Sequence, residues 1–183
     1  FCLSRRKYLT YHFIAYLCLS IQGFAFLTWI VEFFVRIHGW TRTEIGLTYG
    51  SIALIVGIMG SIGAGYYAGY WLAKGRADAP MRLAFYGTIG LGPLAVIMPL
   101  VSSDWLAIAI IIPITFFMAM PPGLSNAALQ AISPNRLRGQ MIAVYLICVS
   151  FLSYLFAPLI IGLMNDYVFG REDAIGLSLS SLA

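Results

Sequence analysis

The stretch WLAIAIIIPITFFMAMPPGLSNAALQ, residues 105–130, decides the fold class, because it is long, apolar and free of charged side chains. An α-helix needs about 20 such residues to cross the hydrocarbon core of a bilayer. Its run Ala107-Ile-Ala-Ile-Ile-Ile-Pro113 is apolar at every position, unlike the alternating pattern of a membrane β-strand. The segment is therefore predicted to be a transmembrane helix.

The rest of the chain has the same character. Of its 183 residues, 61% are hydrophobic and 10% are charged, and the net charge is +4. A soluble domain carries about 25% charged residues, so the composition predicts a membrane protein. The excess of bases is too small for a nucleic-acid-binding surface, and no nucleic-acid partner is expected. Because Phe1 rather than Met begins the sequence, we expect a piece of a longer protein.

Further apolar stretches flank this segment on both sides. The predicted spans are residues 9–35, 46–72, 83–101, 105–130 and 140–163, with the start of a further span from about residue 177. The predicted fold class is all-α, a polytopic membrane helix bundle. Eight of the 11 Lys and Arg residues lie in alternate connecting segments, and three lie in the others. Because cytoplasmic loops retain positive charge, we expect a multi-pass protein of the cytoplasmic membrane whose N-terminus, in this chain, is cytoplasmic.

Polar side chains inside the spans are informative, since each needs a partner or a water-filled cavity. Glu32 is the only acid within the predicted spans, and Arg36 follows it by four residues on the same helix face. Glu32 is either a carboxylate that binds a proton or substrate, or half of an ion pair at the outer end of the span. Its position near that end favours the ion pair.

The fourth span combines polar residues with helix-breaking ones. Thr115, Asn126 and Gln130 are spaced by nearly whole helical turns, which predicts one polar stripe. The stripe either lines a cavity or bonds to neighbouring helices. A bend or broken turn is predicted by Pro113, Pro121, Pro122 and Gly123. Irregular backbone at membrane depth persists only within protein or beside a cavity, which favours the cavity.

The second and third spans differ in their faces. Small residues follow one face of the second span, at Gly46, Gly50, Gly57, Ser61 and Gly65. Such a face permits close approach of another helix, in a fixed interface or in a rocking one. The third span, with Thr88 as its only clearly polar interior residue, is expected on the lipid side.

Neither catalysis nor metal binding is predicted. His12 and His38 lie near opposite faces of the membrane, so no His/Asp pair or metal cluster is expected from this chain. A phosphate-binding glycine-rich loop with a following Lys is also absent from the sequence. Tyr145, about one turn from the cytoplasmic start of its span, is expected to be an interface anchor. We expect no enzyme and no cofactor.

Two of the basic connections resemble those of the major facilitator superfamily. Gly65-Tyr-Tyr-Ala-Gly69-Tyr-Trp-Leu-Ala-Lys74-Gly-Arg76 is similar to the loop between that family's eighth and ninth helices, with Gly69 where the family has Asp. Ser133-Pro134-Asn-Arg136-Leu-Arg138-Gly139-Gln140 resembles the spinster-like branch. Further similarities to that branch lie at Trp29, Arg36, Gly39, Ala143, Pro158, Gly162 and Asp166, whereas Ser153 and Ala157 stand where it often has Gly.

The resemblance implies the C-terminal half of a twelve-helix major facilitator fold. Such proteins bind substrate in a cavity between two six-helix halves, and access alternates as the halves rock. By this analogy the first, second, fourth and fifth spans border the cavity and the third is peripheral. The gating loops would include Gly65, Lys74, Arg76, Arg136 and Arg138.

The sequence thus predicts a secondary active transporter of a small organic or amphipathic solute, a symporter or antiporter. Its partners would be membrane lipids and the missing N-terminal six-helix half. Lysophospholipid-like or sphingoid substrates follow only from the spinster resemblance. The predicted substrate contacts are Gln22, Trp29, Asn126 and Gln130, and Glu32 is the candidate for coupling. The alternative is a non-transporting assembly subunit or receptor, and a membrane enzyme ranks third.

Overall fold

The computed structural model describes residues 6–169 and 175–182, and within them the chain is all-helical. A 3-10 turn, Met98–Leu100, extends α3, and a π-helical turn, Met164–Phe169, extends α6. The α-helices are α1 (Arg6–Ile37), α2 (Arg42–Ala73), α3 (Ala79–Ile97), α4 (Asp104–Met118), α5 (Met120–Ile132), α6 (Arg138–Leu163) and α7 (Ile175–Leu182).

Five helical segments in the described residues are long and apolar enough to cross a membrane. They are Lys7–Ile37, Arg42–Ala73, Ala79–Leu100, Asp104–Ile132 and Arg138–Val168. Each coincides with one predicted span, which confirms the fold class. α7 covers the predicted start of a further span. Arg5 and Arg171, two of the bases on which the expected orientation depends, lie outside the described residues.

The two ends of the bundle differ in charge. We call one the basic end; it comprises the start of α1 and the connections at 74–78 and 133–137. The connections at 38–41 and 101–103 form the opposite end, where a hydrogen bond between His38 and Asp104 joins them. Successive long segments therefore run in alternate directions, as a polytopic membrane protein requires.

The turn between α1 and α2 is fixed by its backbone chemistry. Gly39 has a φ of +70°, a conformation in which an L side chain is strained. The amides of His38 and Trp40 both donate to the carbonyl of Phe34, at 3.1 and 3.2 Å, and end α1. Thr41 and Glu44 then form a capping box that starts α2.

The fourth span is broken at Ala119, which separates α4 from α5. Pro121 and Pro122 lie in the first turn of α5, where a missing backbone donor costs least. Their rings prevent α4 from continuing in register, since proline cannot donate to the carbonyl four residues earlier. The bend predicted from these prolines is confirmed.

The small-residue face predicted on α2 is not the face that packs within this chain. A Cβ at Gly46, Gly50, Gly57 or Gly65 would meet no other atom within 4 Å, although the Ser61 hydroxyl donates to the carbonyl of Ala119 at 3.2 Å. The buried small residues of α2 are instead Gly60, Ala64 and Ala68. α2 approaches the broken span through these, because a second set of small residues occupies the neighbouring face.

α3 packs on α4 and α5 with one face and exposes the other. Gly87 and Gly90 of α3 lie against Met120 and Phe117 of the broken span. The exposed face is apolar, with Phe85, Ile89 and Ile97 among its large side chains. That composition suits contact with lipid tails and agrees with the expected lipid-side position of the third span.

Candidate functional site

A cavity of about 360 Å³ lies beside the helix break, lined by residues of α1, α3, α4, α5 and α6; we call it the break cavity. Pro121 and Pro122 form part of its wall, so the irregular backbone of the fourth span lines it. Most of the lining is aliphatic or aromatic. Its hydroxyl groups belong to Tyr16, Ser20 and Ser150, and no charged side chain of the described residues lines it.

Gly23 of α1 gives the break cavity part of its width. A Cβ at this position would meet only the side chain of Met118, at 3.8 Å. A longer side chain at residue 23 would therefore project into open space. Gly23 belongs to a row on α1 that lines the cavity, formed with Tyr16, Leu19, Ser20, Phe24 and Leu27.

The helices around the break cavity differ in part from those expected around a binding cavity. The first, fourth and fifth spans line it, through α1, α4, α5 and α6, as the analogy implied. The second span contributes no lining residue, and Leu91 of the third span does. α2 is kept away because its small buried face packs against the broken span.

The amides of Asn126 and Gln130 lie on α5 on the basic-end side of the prolines. Asn126 is half-buried, and its Oδ1 is buried with no hydrogen-bond partner among the described residues. Gln130 is exposed. Thr115 does not share this stripe, because its side chain is buried in α4 and its hydroxyl donates to the carbonyl of Ile111 at 2.8 Å. The predicted stripe therefore holds only within α5.

The two predicted contacts of α1 lie outside the break cavity. Gln22 lines a void of about 10 Å³ between α1, α3, α4 and α7. Trp29 is half-buried against the hydrophobic core, and its Nε1 is buried without a hydrogen-bond partner among the described residues. Asn126 and Gln130 do not line the break cavity either, so it brings none of the four predicted substrate contacts together.

Glu32 forms ion pairs at the opposite end. Its carboxylate accepts from Arg36 Nε at 3.3 Å and from Arg42 Nη2 at 2.8 Å. The first pair is the one expected from the spacing, and the second joins α1 to the start of α2. This position favours an interfacial ion pair over a carboxylate inside a substrate cavity.

Four of the five expected gating residues lie at or next to the exposed connections of the basic end, and the fifth, Gly65, lies within α2. Lys74 and Arg76 lie over the rings of Tyr70 and Trp71, at 4.3 and 5.2 Å from the ring centroids. Arg138 Nη2 donates to Asn135 Oδ1 at 2.9 Å, Arg136 is exposed, and Gly65 is exposed inside α2. In the 74–78 connection, the hydrogen bond from Arg82 holds the pKa of Asp78 below its usual value.

A larger cavity, of about 490 Å³, opens at the basic end between α1 and α6; we call it the basic-end cavity. His12 and Tyr145 line it, and both are buried, with exposed fractions of 5% and 7%. Ser125 of α5 completes a cluster with them. Its Oγ lies 3.0 Å from His12 Nε2 and 2.7 Å from the Tyr145 hydroxyl, and the latter two atoms are 3.3 Å apart.

This cluster was not predicted from the sequence, and the expectation that Tyr145 is an interface anchor is wrong, because its ring is buried and its hydroxyl bonds to Ser125. The three residues come from α1, α5 and α6 and are up to 133 positions apart. No local spacing could bring them together. The signal available was His12 itself, because an ionisable side chain within a membrane span marks a functional site by default.

The expectation that no His/Asp pair could form is also wrong. His38 Nδ1 lies 2.5 Å from Asp104 Oδ1, and Trp40 Nε1 donates to Asp104 Oδ2 at 3.0 Å. The His38 side chain is almost fully buried. The pair fastens the connection between α1 and α2 to the start of α4. Groups of three or more potential metal ligands are not found among the described residues.

Comparison with protein families supports this architecture. The family model described as Major Facilitator Superfamily matches residues 2–158. Neither the curated proteins nor the solved structures give a significant match. The match covers four of the five spans completely and most of the fifth. The chain therefore belongs to the major facilitator superfamily, whose members are membrane transporters.

Proposed function

We propose that the chain is the C-terminal half of a secondary active transporter of the spinster-like branch, which moves a small organic or amphipathic solute by alternating access. The break cavity carries this proposal. Its volume of about 360 Å³ lies within the range of small-molecule sites, about 300–1,000 Å³. Its lining is apolar with a few hydroxyl groups, which is the usual chemistry of such sites.

The lining defines the part of the solute that would lie there. No charged side chain of the described lining could pair with a charged group, so an acyl chain or an apolar ring suits the break cavity. The polar part of the solute would then lie towards the basic end. Asn126, one turn beyond Pro122, and Gln130 offer donors and acceptors to it, and the unpartnered Oδ1 of Asn126 is available to a donor.

We call the route from the break cavity to the basic end the solute path. The remaining predicted residues would act around this path. Gln22 and Trp29 would contact the solute in another conformation of the cycle, and Glu32 would be the coupling group through release of its two arginine partners. The basic end would face the cytoplasm, by its surplus of Lys and Arg. Lys74, Arg76, Arg136 and Arg138, with Gly65, would form the cytoplasmic gating loops.

Replacing Gly23 by phenylalanine tests the cavity assignment. The ring would fill space that could otherwise hold at least two methylene groups of a solute. Each buried methylene contributes about 0.8 kcal/mol, so affinity should fall about tenfold. The measurement is binding and uptake of a fluorescent lysophosphatidylcholine by the full-length protein in proteoliposomes.

Gly92→Phe is the matched control, because a Cβ at Gly92 of α3 meets no atom within 4 Å and Gly92 does not line the break cavity. Its binding and uptake should match those of the wild type. Equal binding by the Gly23→Phe and Gly92→Phe variants would contradict the cavity assignment. Absence of uptake in the wild type, with the protein folded, would favour the assembly subunit.

Removing the amide of Asn126 or Gln130 is expected to weaken uptake of the same probe. One lost hydrogen bond to the polar part of the solute costs about 0.5–1.5 kcal/mol, or about two- to tenfold. Uptake by the Asn126→Ala and Gln130→Ala variants should be compared at equal membrane abundance.

Thr88→Ala is the control for these two variants. The Thr88 hydroxyl donates within α3, to the carbonyl of Ala84 at 2.9 Å, and lies away from the proposed path. This variant should transport the probe normally. Wild-type uptake by both amide variants would remove Asn126 and Gln130 from the site.

A further inference from the structure

The His12, Ser125 and Tyr145 cluster is a buried polar group that the proposed solute path does not use. The three side chains are each at least nine-tenths buried. Its position at the wall of the basic-end cavity gives His12 and Tyr145 contact with an open space of about 490 Å³. The cluster is therefore both enclosed by helices and within reach of water.

We propose that this cluster is a proton-binding site, with His12 as the acceptor and the Ser125 and Tyr145 hydroxyls as its hydrogen-bonded relay. Histidine is the side chain whose charge changes most readily near neutral pH. An intramembrane histidine with two hydroxyl partners has both a proton site and a path to it. The role in coupling rests on the proposed transport function, whereas proton binding itself does not.

The hydrogen bonds show what protonation would change. In the neutral tautomer that carries its hydrogen on Nδ1, Nε2 accepts from the Ser125 hydroxyl, and Ser125 Oγ can accept from Tyr145. When Nε2 gains a proton from water in the basic-end cavity, both ring nitrogens become donors. Nε2–H then donates to Ser125 Oγ, the Ser125 hydrogen turns to Tyr145, and the Tyr145 hydrogen turns to the cavity. The cluster then holds one more proton, and the direction of its hydrogen bonds is reversed.

The surroundings of His12 make this charge change consequential. On α1 the ring of Tyr8 stacks on His12, with centroids 6.0 Å apart, and on α6 the ring of Tyr145 stacks at 5.6 Å. Tyr16 stacks on Tyr145 in turn. Across α1, α5 and α6, no Asp, Glu, Lys or Arg side chain that the structure describes bonds to His12. The new charge is therefore balanced only by hydroxyls, aromatic rings and cavity water, which favours separation of α1 from α5 and α6.

The first test follows the proton directly. In full-length protein labelled with [15N]histidine, the His12 resonance is identified by its loss in His12→Gln and followed from pH 4 to 9. A single titration is expected, with a midpoint that shifts by about 0.3 unit or more in Ser125→Ala and Tyr145→Phe. Thr28→Ala, whose hydroxyl bonds within α1 to Phe24, should leave the midpoint unchanged. No titration, or the same midpoint in all variants, overturns the proposal.

The second test follows the opening of the cavity. Cys148 lines the basic-end cavity and is half-buried, and Cys18 of α1 is exposed. Maleimide labelling of Cys148, divided by that of Cys18 in the same sample, corrects for thiol ionisation. This ratio is expected to rise at least twofold from pH 7.5 to 5.5 in wild type and to stay constant in His12→Gln. Equal ratios in both proteins overturn the proposal. Neither test requires a solute, so failure of the transport proposal would leave both results intact.

Discussion

Replacing Gly60 by alanine is expected to lower the thermal unfolding midpoint of the protein more than any other glycine-to-alanine change in α2. A Cβ at residue 60 would lie 2.4 Å from the carbonyl oxygen of Phe116 and 3.2 Å from the Cβ of Ala119. The oxygen belongs to the helix backbone and cannot rotate away. Overpacking of this kind costs about 1–3 kcal/mol, which corresponds to about 2–12 °C for a chain of this size.

Two other glycines give the series its controls. A Cβ at Gly57, one turn before Gly60, meets no atom within 4 Å, and Gly57→Ala should raise the midpoint slightly through better helix propensity. A Cβ at Gly90 would lie 2.9 Å from the Phe117 ring, which can turn aside. Gly90→Ala should therefore lower the unfolding midpoint less than Gly60→Ala does. Equal midpoints for the Gly57 and Gly60 variants would contradict the close approach of α2 to the broken span.

The second large effect is expected from Asp104→Ala at the opposite end. Asp104 accepts from the Trp40 indole and bonds to His38, whose side chain is almost fully buried. Removal of the carboxylate takes this hydrogen-bond partner away from both His38 and Trp40. A buried donor that has lost its acceptor lowers the stability of the fold. The unfolding midpoint should fall by several degrees, measured by differential scanning fluorimetry of the full-length protein in detergent.

Asp78→Ala is the matched control for this change. Asp78 bonds to Arg82, and both of these side chains are more than half exposed. Exposed ion pairs contribute little to stability because water and salt screen them. The midpoint of this variant should stay near that of the wild type. Equal falls of the unfolding midpoint in the Asp78 and Asp104 variants would contradict the expected contribution of the His38 and Trp40 bonds to stability.

The spans and the break could be predicted because their causes are local. A run of apolar residues is sufficient to define a membrane helix. Pro121 and Pro122 interrupt that helix whichever neighbours it packs against, because they lack a backbone donor. The charge spacing between Glu32 and Arg36 is likewise a property of one helix, and that ion pair is present. These features need no knowledge of neighbouring helices.

The packing faces could not be predicted, because they depend on which helix lies next to which. α2 carries small residues on two neighbouring faces, and composition does not distinguish the set containing Gly57 from the set containing Gly60. His12 and Ser125 are 113 positions apart, and His38 and Asp104 are 66 apart. Pairs at such separations form only when distant helices pack together. The polar cluster and the His/Asp pair could therefore not be predicted from local sequence.

The interruption at Ala119 divides the fourth span between two apolar groups, although α4 and α5 both pack on α2 and α3. Ile111 and Ile114 of α4 belong to the large apolar core that extends to the opposite end of the bundle. Leu129 of α5 belongs to a separate apolar group around Tyr145. We expect any change in the angle between α4 and α5 at residue 119 to alter the width of the space next to Pro121 and Pro122, because both prolines lie in its wall.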